Sequence, residues 1–539
     1  MDQVFQKIAR LNEIGIALSA ATDVDILCDE ILTGAMELTS CDGGSLYKMS
    51  DDKTSLEFVI VSTHSLDIHM GGSSGHEIKF PAIPMMVNGK ANKSNVVSSA
   101  VHDEKTINIP DVYHAEGFDF SGTRKFDQQT GYRTQSILTI PLKNHHNDII
   151  GVLQLINAKD EASGKTREFT IADQQLAESL ASQAAVAITN NKLIEEQREL
   201  FEAFIKLMAS AIDEKSPYTG GHCKRVPELT MMIAEACHNA STGQLKDFKM
   251  TDKDRYELTI AGWLHDCGKV TTPEYVVDKA TKLETIYDRI NTVDTRFEVL
   301  KRDATIDSLQ QKIERLSNDP AADCSDIDAA LKEKAEQYDD DREFIRKSNV
   351  GGEFMDEELQ QRVRDIGEYR WVDPHGVNTK FFNENEIENL TIAKGTLTDD
   401  ERYVINNHMA VTIKMLAQLP FPKHLKNVPE YAGGHHERMD GKGYPNGLTR
   451  DQMSLQARMM GIADIFEALS ASDRPYKTGK PLTECLRILG YMKKDNHVDP
   501  DIFDVFVRDK VYMRYAEAFL PKNQIDEVNA TDIPGYQAS

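Results

Sequence analysis

The chain has 539 residues, material for roughly two to four domains, with 40% hydrophobic and 28% charged residues and a net charge of −25. That charge repels a nucleic-acid backbone, whose binding rests on Lys and Arg contacts, so no nucleic-acid polymer is expected as a partner. No stretch reaches the run of about 18 apolar residues that a membrane span needs, and the seven cysteines, scattered and without CxxC spacing, point to reduced thiols and not to a disulfide framework.

The opening "MDQVFQKIARLNEIG" carries acids and lacks the apolar core of a signal peptide, so the expected compartment is the cytoplasm. Residues 1–190 read as an α+β module. A helical stretch ("ALSAATDVDILCDEILTGAMELTSC") precedes short runs of strand length, "GSLYKM", "LEFVIVST", "SILTIPLK" and "DIIGVLQLIN", with Gly, Asn and Asp between them. The last two read as a hairpin turning at "NHHND", which makes His145 and His146 solvated turn residues. From Phe169 to about Lys215 the pattern is helical, and Leu193, Leu200 and Leu207 recur every seven residues with Phe204 four after Leu200. Two readings stay open for this helix: packing on its own domain, or a parallel coiled coil that makes a homodimer.

Residues 216–283 and 394 to about 520 read as helical. Between them, "ETIYDRINTVDTRFEVLKRDATIDSLQQKIERL" and "SDIDAALKEKAEQYDDDREFIRK" are charge-laced helices split by "SNDPAAD", a pattern polar on most faces that suits an exposed hairpin. "GEYRWVDPHGVNTKFFNENE" follows as a loop with a small β-piece, His375 in its turn.

The chemistry-bearing residues sit in the helical part. "AGWLHDCGK" sets His265 and Asp266 at the end of an apolar run, and "SPYTGGHCKRV" sets His222 where a helix begins. "ERYVINNHMAVTIKML" carries His408, "HHERMDGKGYPNGL" carries His435 and His436, and "GIADIFEAL" holds Asp464 in an apolar helix. Adjacent helical residues point about 100° apart, so His435 and His436 cannot both face one core from a regular turn. Five imidazoles and two carboxylates in apolar settings are costly unless they share a partner, and a metal is the simplest one. Nitrogen and oxygen donors without thiolate suit iron, manganese, zinc or nickel. Seven donors exceed a single tetrahedral shell, which favours two ions over one.

The ordered set "GGHCKRV", "HDCGK", "NNHMA", "HHERMDGKGYP" and "ADIFEALSASDRPYK" resembles the HD-GYP family of bacterial cyclic-dinucleotide phosphodiesterases, within the HD superfamily. The resemblance covers residues 200–283 and 394–510. It implies a helical bundle holding two divalent ions, iron or manganese, with His222, His265, Asp266 and Asp464 on one and His408, His435 and His436 on the other, Asp266 bridging. Some members hold a third ion through a Glu one turn before the first His. Tyr218 stands there in this chain, and Glu214 lies two turns back. The resemblance further implies that activated water attacks phosphorus in line with the departing 3′ oxygen. Lys269 would neutralise charge, Arg474 and Lys477 would clamp phosphates or guanine edges, and Tyr444 would line the mouth. Arg438 and Asp440 would brace the loop. The substrate would be cyclic di-GMP or cyclic GMP-AMP, opened to a linear dinucleotide or onward to mononucleotides. Two alternatives are another HD-type nucleotide phosphohydrolase and a non-catalytic cyclic-dinucleotide receptor. The chain departs from the family pattern in one respect: "DKATKL" and "KGTLTDDE", normally nearly continuous, are held apart by residues 284–393, an insertion of about 110 residues.

The segment "GYRTQSILTIPLKNHHNDIIGVLQLINAKD" with "REFTIADQQLAESLASQAAVAITN" resembles a GAF domain, in particular those of cyclic-nucleotide phosphodiesterases. Their NKFDE signature remains as Asn157, Phe169 and Asp173. Ala158 replaces its Lys, which in the family pairs with the Asp, and Gln174 replaces its Glu. An unidentified small-molecule ligand is the implied partner of this domain. The expected organisation is a GAF-like module at 1–190, a connecting helix at 191–215 and an HD-GYP domain at 216–520, with residues 521–539 as a tail.

Overall fold

The computed structural model describes residues 2–20, 23–160, 162–215, 221–352, 354–472 and 479–536. Arg474, Lys477 and Tyr218 lie outside the described residues. The chain divides into two units, residues 1–201 and 202–539.

The first unit is α+β, as expected. Helices α1 (Asp2–Ala20) and α2 (Val24–Thr39) precede an antiparallel sheet. Helix α2 starts where the Asp23 carboxylate accepts from the backbone N–H groups of Asp25 and Ile26, the usual way to satisfy a helix's first free donors. The strands are β1 (Cys41–Met49), β2 (Ser55–Thr63), β3 (Ile68–Gly71), the short β4 (Ile83–Pro84), β5 (Met86–Val87) and β6 (Lys90–Ala91), then β7 (Ile107–Ile109), β8 (Ile137–Lys143), β9 (Ile149–Lys159) and β10 (Thr166–Arg167). Their main order is β3-β2-β1-β9-β8-β7, so the chain's central strands, β1 and β9, meet across more than 100 residues of sequence. Helices α3 (Val96–His102) and α4 (Ser121–Thr130) lie between β6 and β8 in sequence. The hairpin β8–β9 turns at Asn144–Asp148, with both histidines exposed. Leu27, Ile31, Leu32 and Ala35 of α2 pack with Leu153 and Leu155 of β9 and with Ala177, Leu180 and Ala184 of the next helix.

That helix, α5, runs unbroken from Ile171 to Lys215. Its first turn holds Asp173, buried and bonded to the Thr170 backbone and hydroxyl. The Arg167 guanidinium stands 2.5 Å from the Asp173 carboxylate. The ion pair that Ala158, in place of the family's Lys, cannot make is therefore supplied from β10, through an arginine that the motif does not include. Further along, Leu193, Leu200 and Leu207 are 50%, 58% and 64% exposed, so the heptad face does not pack on its own domain.

The second unit is helical. Helices α6 (His222–His238), α7 (Asp252–Leu264) and the short α8 (Glu274–Val277) precede the insertion. Helices α13 (Asp399–Asn406), α14 (His408–Ala417), α15 (Val428–Gly433), α16 (Leu455–Ser470), α17 (Leu482–Lys494), α18 (Pro500–Arg508) and α19 (Val511–Phe519) follow it. Helix α16 is the hub. Ala457, Met459, Met460, Ile462, Ala463 and Phe466 are all buried, and Phe466 meets Phe506 of α18 and Tyr515 of α19 edge-on.

The insertion contains α9 (Ile290–Asn318), α10 (Ser325–Val350), α11 (Glu357–Gly367), the hairpin β11 (Arg370–Val372) with β12 (Asn378–Lys380), and α12 (Glu384–Leu390). The two long helices pair as a hairpin, and His375 sits in the β-turn, as the pattern predicts. Polarity on most faces is the incomplete part of that prediction. Val293, Phe297, Leu300 and Ile345 close with Val363, Ile366, Phe381 and Phe382 into a core of the insertion's own, joined from outside it by Leu283. The long helices are charge-laced over most of their length because only their proximal ends face that core.

The insertion's two ends meet. Lys279 reaches Glu401 (2.7 Å) and Asn389 (2.6 Å), Lys282 donates to the carbonyls of Leu390 (3.1 Å) and Ile392 (2.7 Å), and Leu283 N donates to Asn349 Oδ1 (2.8 Å). Closing ends already held this near each other costs little, so 110 extra residues leave the bundle uninterrupted.

Burial pulls the Lys282 ammonium down to about 8. An unfolded lysine holds its proton to about pH 10.4, so between these values the folded state binds fewer protons and stability rises with pH. Wild-type protein is therefore expected to gain stability between pH 8 and 10 relative to Lys282→Met. Urea midpoints across that range check the sign; parallel curves would contradict it.

Candidate metal centre

Four histidines reach the centre from helix ends, where backbone carbonyls are free. His265 caps α7 and its Nδ1–H donates to Gly262 O (2.7 Å). His408 opens α14, and its Nδ1–H donates to Ile405 O. His435, just past α15, donates from Nδ1 to Ala432 O (2.7 Å). Each bond returns to the carbonyl three residues earlier. The fourth, His222, opens α6 and donates from Nδ1 to Glu467 Oε2 (2.5 Å). With every Nδ1 proton so engaged, the tautomer is fixed and each Nε2 lone pair faces inward.

These atoms converge on Asp266. Its Oδ2 stands 3.3 Å from His222 Nε2 and 3.2 Å from His265 Nε2, and its Oδ1 stands 3.3 Å from His408 Nε2. The two imidazole Nε2 atoms of His222 and His265 are 3.4 Å apart. Nitrogen and oxygen ligands about 2.0–2.2 Å from one ion stand roughly 3.0–3.4 Å from each other, the spacing seen here. Two donor groups result, Asp266 with His408, His435 and His436, and Asp266 with His222 and His265. Asp266 belongs to both. Asp464 lies in neither group but stands 3.3 Å from His222 Nε2 and 4.0 Å from His436 Nδ1.

The residues fit a cation. Asp266 Oδ1, His408 Nε2 and His435 Nε2 are buried without a hydrogen-bond partner. Each such orphan costs about 1–3 kcal/mol, and three lone pairs on one centre, with no donor among them, call for a positive ion. Titration agrees. Burial opposes ionisation of Asp266, yet Lys269, His265 and His222 hold it well below the usual carboxylate range. Asp464 is depressed in the same way against its burial, chiefly by His222 and His436. Burial, with His436 and His265 beside it, pushes His435 well down, and burial takes His436 to about 4. Both are neutral donors at physiological pH. His222 is the exception: burial opposes its charge, but Glu467, Asp266 and Asp464 outweigh that and raise it. A proton on His222 and an ion in the centre are alternative answers to the same carboxylates.

Lys269, in the tight turn Cys267–Thr271, donates to Asp266 Oδ2 at 2.5 Å. That turn presses on α14: a Cβ at Gly268 would lie 2.0 Å from His408 O, and Gly268 N donates to Thr412 Oγ1 (2.9 Å). The two halves of the site can approach because residue 268 has no side chain.

The loop after His436 folds around a buried carboxylate. Glu437 accepts from Asn446 N (2.7 Å) and Leu448 N (2.9 Å), and Arg438 pairs with Asp440 (2.7 Å). This sets the Tyr444 ring on His436, centroids 4.8 Å apart and 21° from parallel. His435 and His436 both reach the centre because the helix ends at Gly433 and the chain turns there.

Sequence reasoning missed Glu437, Thr412, and the pair Glu467 and Arg225. Glu467 is fully buried, held near 2 against its burial by His222 and Arg225, and bonded to Arg225 Nε (2.8 Å). The signal was present, since Glu467 stands three after Asp464 on one helix and so on the same face.

The HD domain family model matches residues 382–502, which include His408, His435, His436 and Asp464, and the GAF domain model matches residues 23–188. The chain carries a GAF domain and an HD domain. His222, His265 and Asp266 lie upstream of the HD match, beyond the insertion. Among curated relatives, a 3′3′-cGAMP-specific phosphodiesterase of Vibrio cholerae is 40% identical over 121 residues, 22% of this chain and 25% of that protein. A cyclic di-GMP phosphodiesterase of Pseudomonas aeruginosa is 39% identical over 114 residues, 21% and 26%. Another, of Thermotoga maritima, is 26% identical over 181 residues, 31% and 48%. The chain thus spans about a quarter of the first two and about half of the third. No described helix is long and apolar enough to cross a membrane.

Glu467→Gln keeps the shape but removes the charge behind His222. It is expected to weaken Mn(II) binding about 10–100-fold with little change in the melting temperature of the metal-free protein, read by calorimetric titration and thermal denaturation. Unchanged Mn(II) affinity would contradict the role given to Glu467.

Proposed function

We propose that the chain is a metal-dependent phosphodiesterase of the HD-GYP type, which opens cyclic di-GMP or cyclic GMP-AMP to a linear dinucleotide under the control of its GAF domain. The observation that carries the proposal is the pair of donor groups sharing Asp266, with orphaned lone pairs in a closed histidine cage. The donor chemistry suits two divalent ions, iron or manganese. His222, His265 and Asp266 with Asp464 would hold one, and His408, His435 and His436 the other, with Asp266 common to both. Such ions supply an acidified water and Lewis-acid stabilisation of phosphoryl oxygens.

The protein's own groups do the rest. Lys269 places a fixed positive charge beside Asp266, where negative charge on a bound phosphate would grow, and it needs no reorganisation to do so. Tyr444, stacked on His436, gives a flat face on which a base can lie. Arg474 and Lys477 are assigned the substrate phosphates or guanine edges from their motif alone. A dianionic substrate meets a chain of charge −25 only through such local cations.

We also infer the domain division given by the motifs: 1–190, 191–215, 216–520 with its insertion at 284–393, and a tail at 521–539, in a cytoplasmic homodimer. The exposure of Leu193, Leu200 and Leu207 supports parallel pairing of α5 with its counterpart.

Protein loaded anaerobically with Fe(II) or Mn(II) is expected to hydrolyse at least one of the two cyclic dinucleotides. A His265→Ala, Asp266→Ala double variant, or chelation, should lower the rate at least 100-fold. Chromatography of the products measures both. Binding without cleavage by metal-loaded wild type would transfer the function to a receptor.

A further inference from the structure

Helix α5 ends beside the metal centre, and its last turn grips the backbone on both sides of the site. Lys215 is the final helical residue. Its Nζ donates to three carbonyls, Lys269 O (3.2 Å), Val270 O (2.6 Å) and Thr272 O (2.6 Å). An ammonium has three N–H donors, and all three are spent on one turn. These carbonyls close the tight turn Cys267–Thr271, whose carbonyl end carries partial negative charge. The same turn supports Lys269 and follows Asp266 directly. Its other side is already fixed to α14 through Gly268 and Thr412. Lys215 supplies the opposing hold.

Asp213, two residues earlier, grips the second segment. Its Oδ2 accepts from Gly221 N (3.1 Å) and its Oδ1 from Cys223 N (3.4 Å), the residues on either side of His222. A cavity of about 10 Å³, room for no more than one water, separates this turn from His222, Asp266 and Lys269. Neither Asp213 nor Lys215 is among the converging donor groups.

We propose that Asp213 and Lys215 are positioning residues of the centre: α5 sets the place of His222 through Asp213 and the place of Asp266 and Lys269 through Lys215. The bonds are charge-assisted and run to backbone, so they fix where the segments lie without altering any donor. A shift or rotation of the last turn of α5 would move the His222 side of the centre and the Lys269 turn together. The inference rests on the proposed function for its catalytic consequence and on geometry alone for its effect on metal binding.

The test uses the full chain with Lys215→Met, Lys215→Arg, Asp213→Ala and, as a control, Lys206→Met on the exposed flank of the same helix. Free Mn(II) is counted by electron paramagnetic resonance during titration, the metal-free melting temperature is recorded, and hydrolysis is measured at saturating Mn(II). Lys215→Met is expected to weaken Mn(II) binding at least fivefold and to lower kcat at least tenfold with KM within twofold. Lys215→Arg, whose planar fork satisfies fewer of the three carbonyls, should fall between. Asp213→Ala should weaken Mn(II) binding at least threefold, and Lys206→Met should match wild type. Mn(II) affinity within twofold of wild type in both Lys215→Met and Asp213→Ala overturns the proposal. So does a loss that follows a lowered metal-free melting temperature and that Lys215→Arg does not relieve. If Lys215→Met does not fold, Lys215→Arg and Asp213→Ala decide by the same criteria. Should wild type cleave no cyclic dinucleotide, the proposed function fails while the Mn(II) titrations still decide this inference.

Discussion

One buried carboxylate governs the second unit. Asp266 is 1% exposed and stands within 3.3 Å of three imidazole nitrogens that come from three different helices. Burying an ion without compensation is prohibitive, so every element that reaches it must bring positive charge or a hydrogen-bond donor, or share a cation with it. The chain does each in a different place. Lys269 brings charge from the adjacent turn, His222 brings a ring polarised by Glu467, and His408 and His435 bring lone pairs that make sense only around an ion.

The same constraint explains why the histidines of the site stand at helix ends. A histidine at a helix terminus finds the carbonyl three residues back within reach of Nδ1, and His265, His408 and His435 all use it. The bond costs nothing in side-chain partners and leaves Nε2 pointing inward. His222 begins its helix just after Gly221, whose φ of 86° is left-handed, and its Nδ1 takes a carboxylate from elsewhere. Glu467 on α16 fills that role, itself held by Arg225 one turn along α6. Buried polar groups in this unit therefore form a chain, Arg225 to Glu467 to His222 to Asp266 to Lys269, in which each charge answers the next.

Much of this was legible in the sequence, and the limits have physical reasons. The α+β module, the helical unit and the β8–β9 hairpin follow from periodicity and turn residues, which are local. His222, His265, Asp266, His408, His435 and His436 stood out because polar residues in apolar helices are conspicuous, and the structure brings them together. Asp464 comes near without joining either compact donor group. Glu467 was not singled out, because a Glu in a helix is ordinary until a histidine 245 residues away in the chain is seen against it. Arg167 was missed for the same reason: its pairing with Asp173 depends on β10 folding back on β9, a tertiary fact. The core of the insertion was hidden because its apolar residues come from four helices and the loops between them, none of which shows an apolar face long enough to register alone.

Helix α5 carries a charged anchor at each end. At Asp173, in its first turn, a carboxylate takes the Thr170 backbone and the Arg167 guanidinium. At Lys215, in its last turn, an ammonium takes three carbonyls. Acid at the start and base at the end also match the helix dipole, so each contact is favoured by the helix that presents it. Between these ends, from Leu193 to Leu207, the helix buries little of its apolar stripe. The exposed stripe from Leu193 to Leu207 is the face proposed above to pair with a second copy. The contacts of Asp213 and Lys215 join the end of that helix to the backbone beside the donors and leave the donors themselves unchanged.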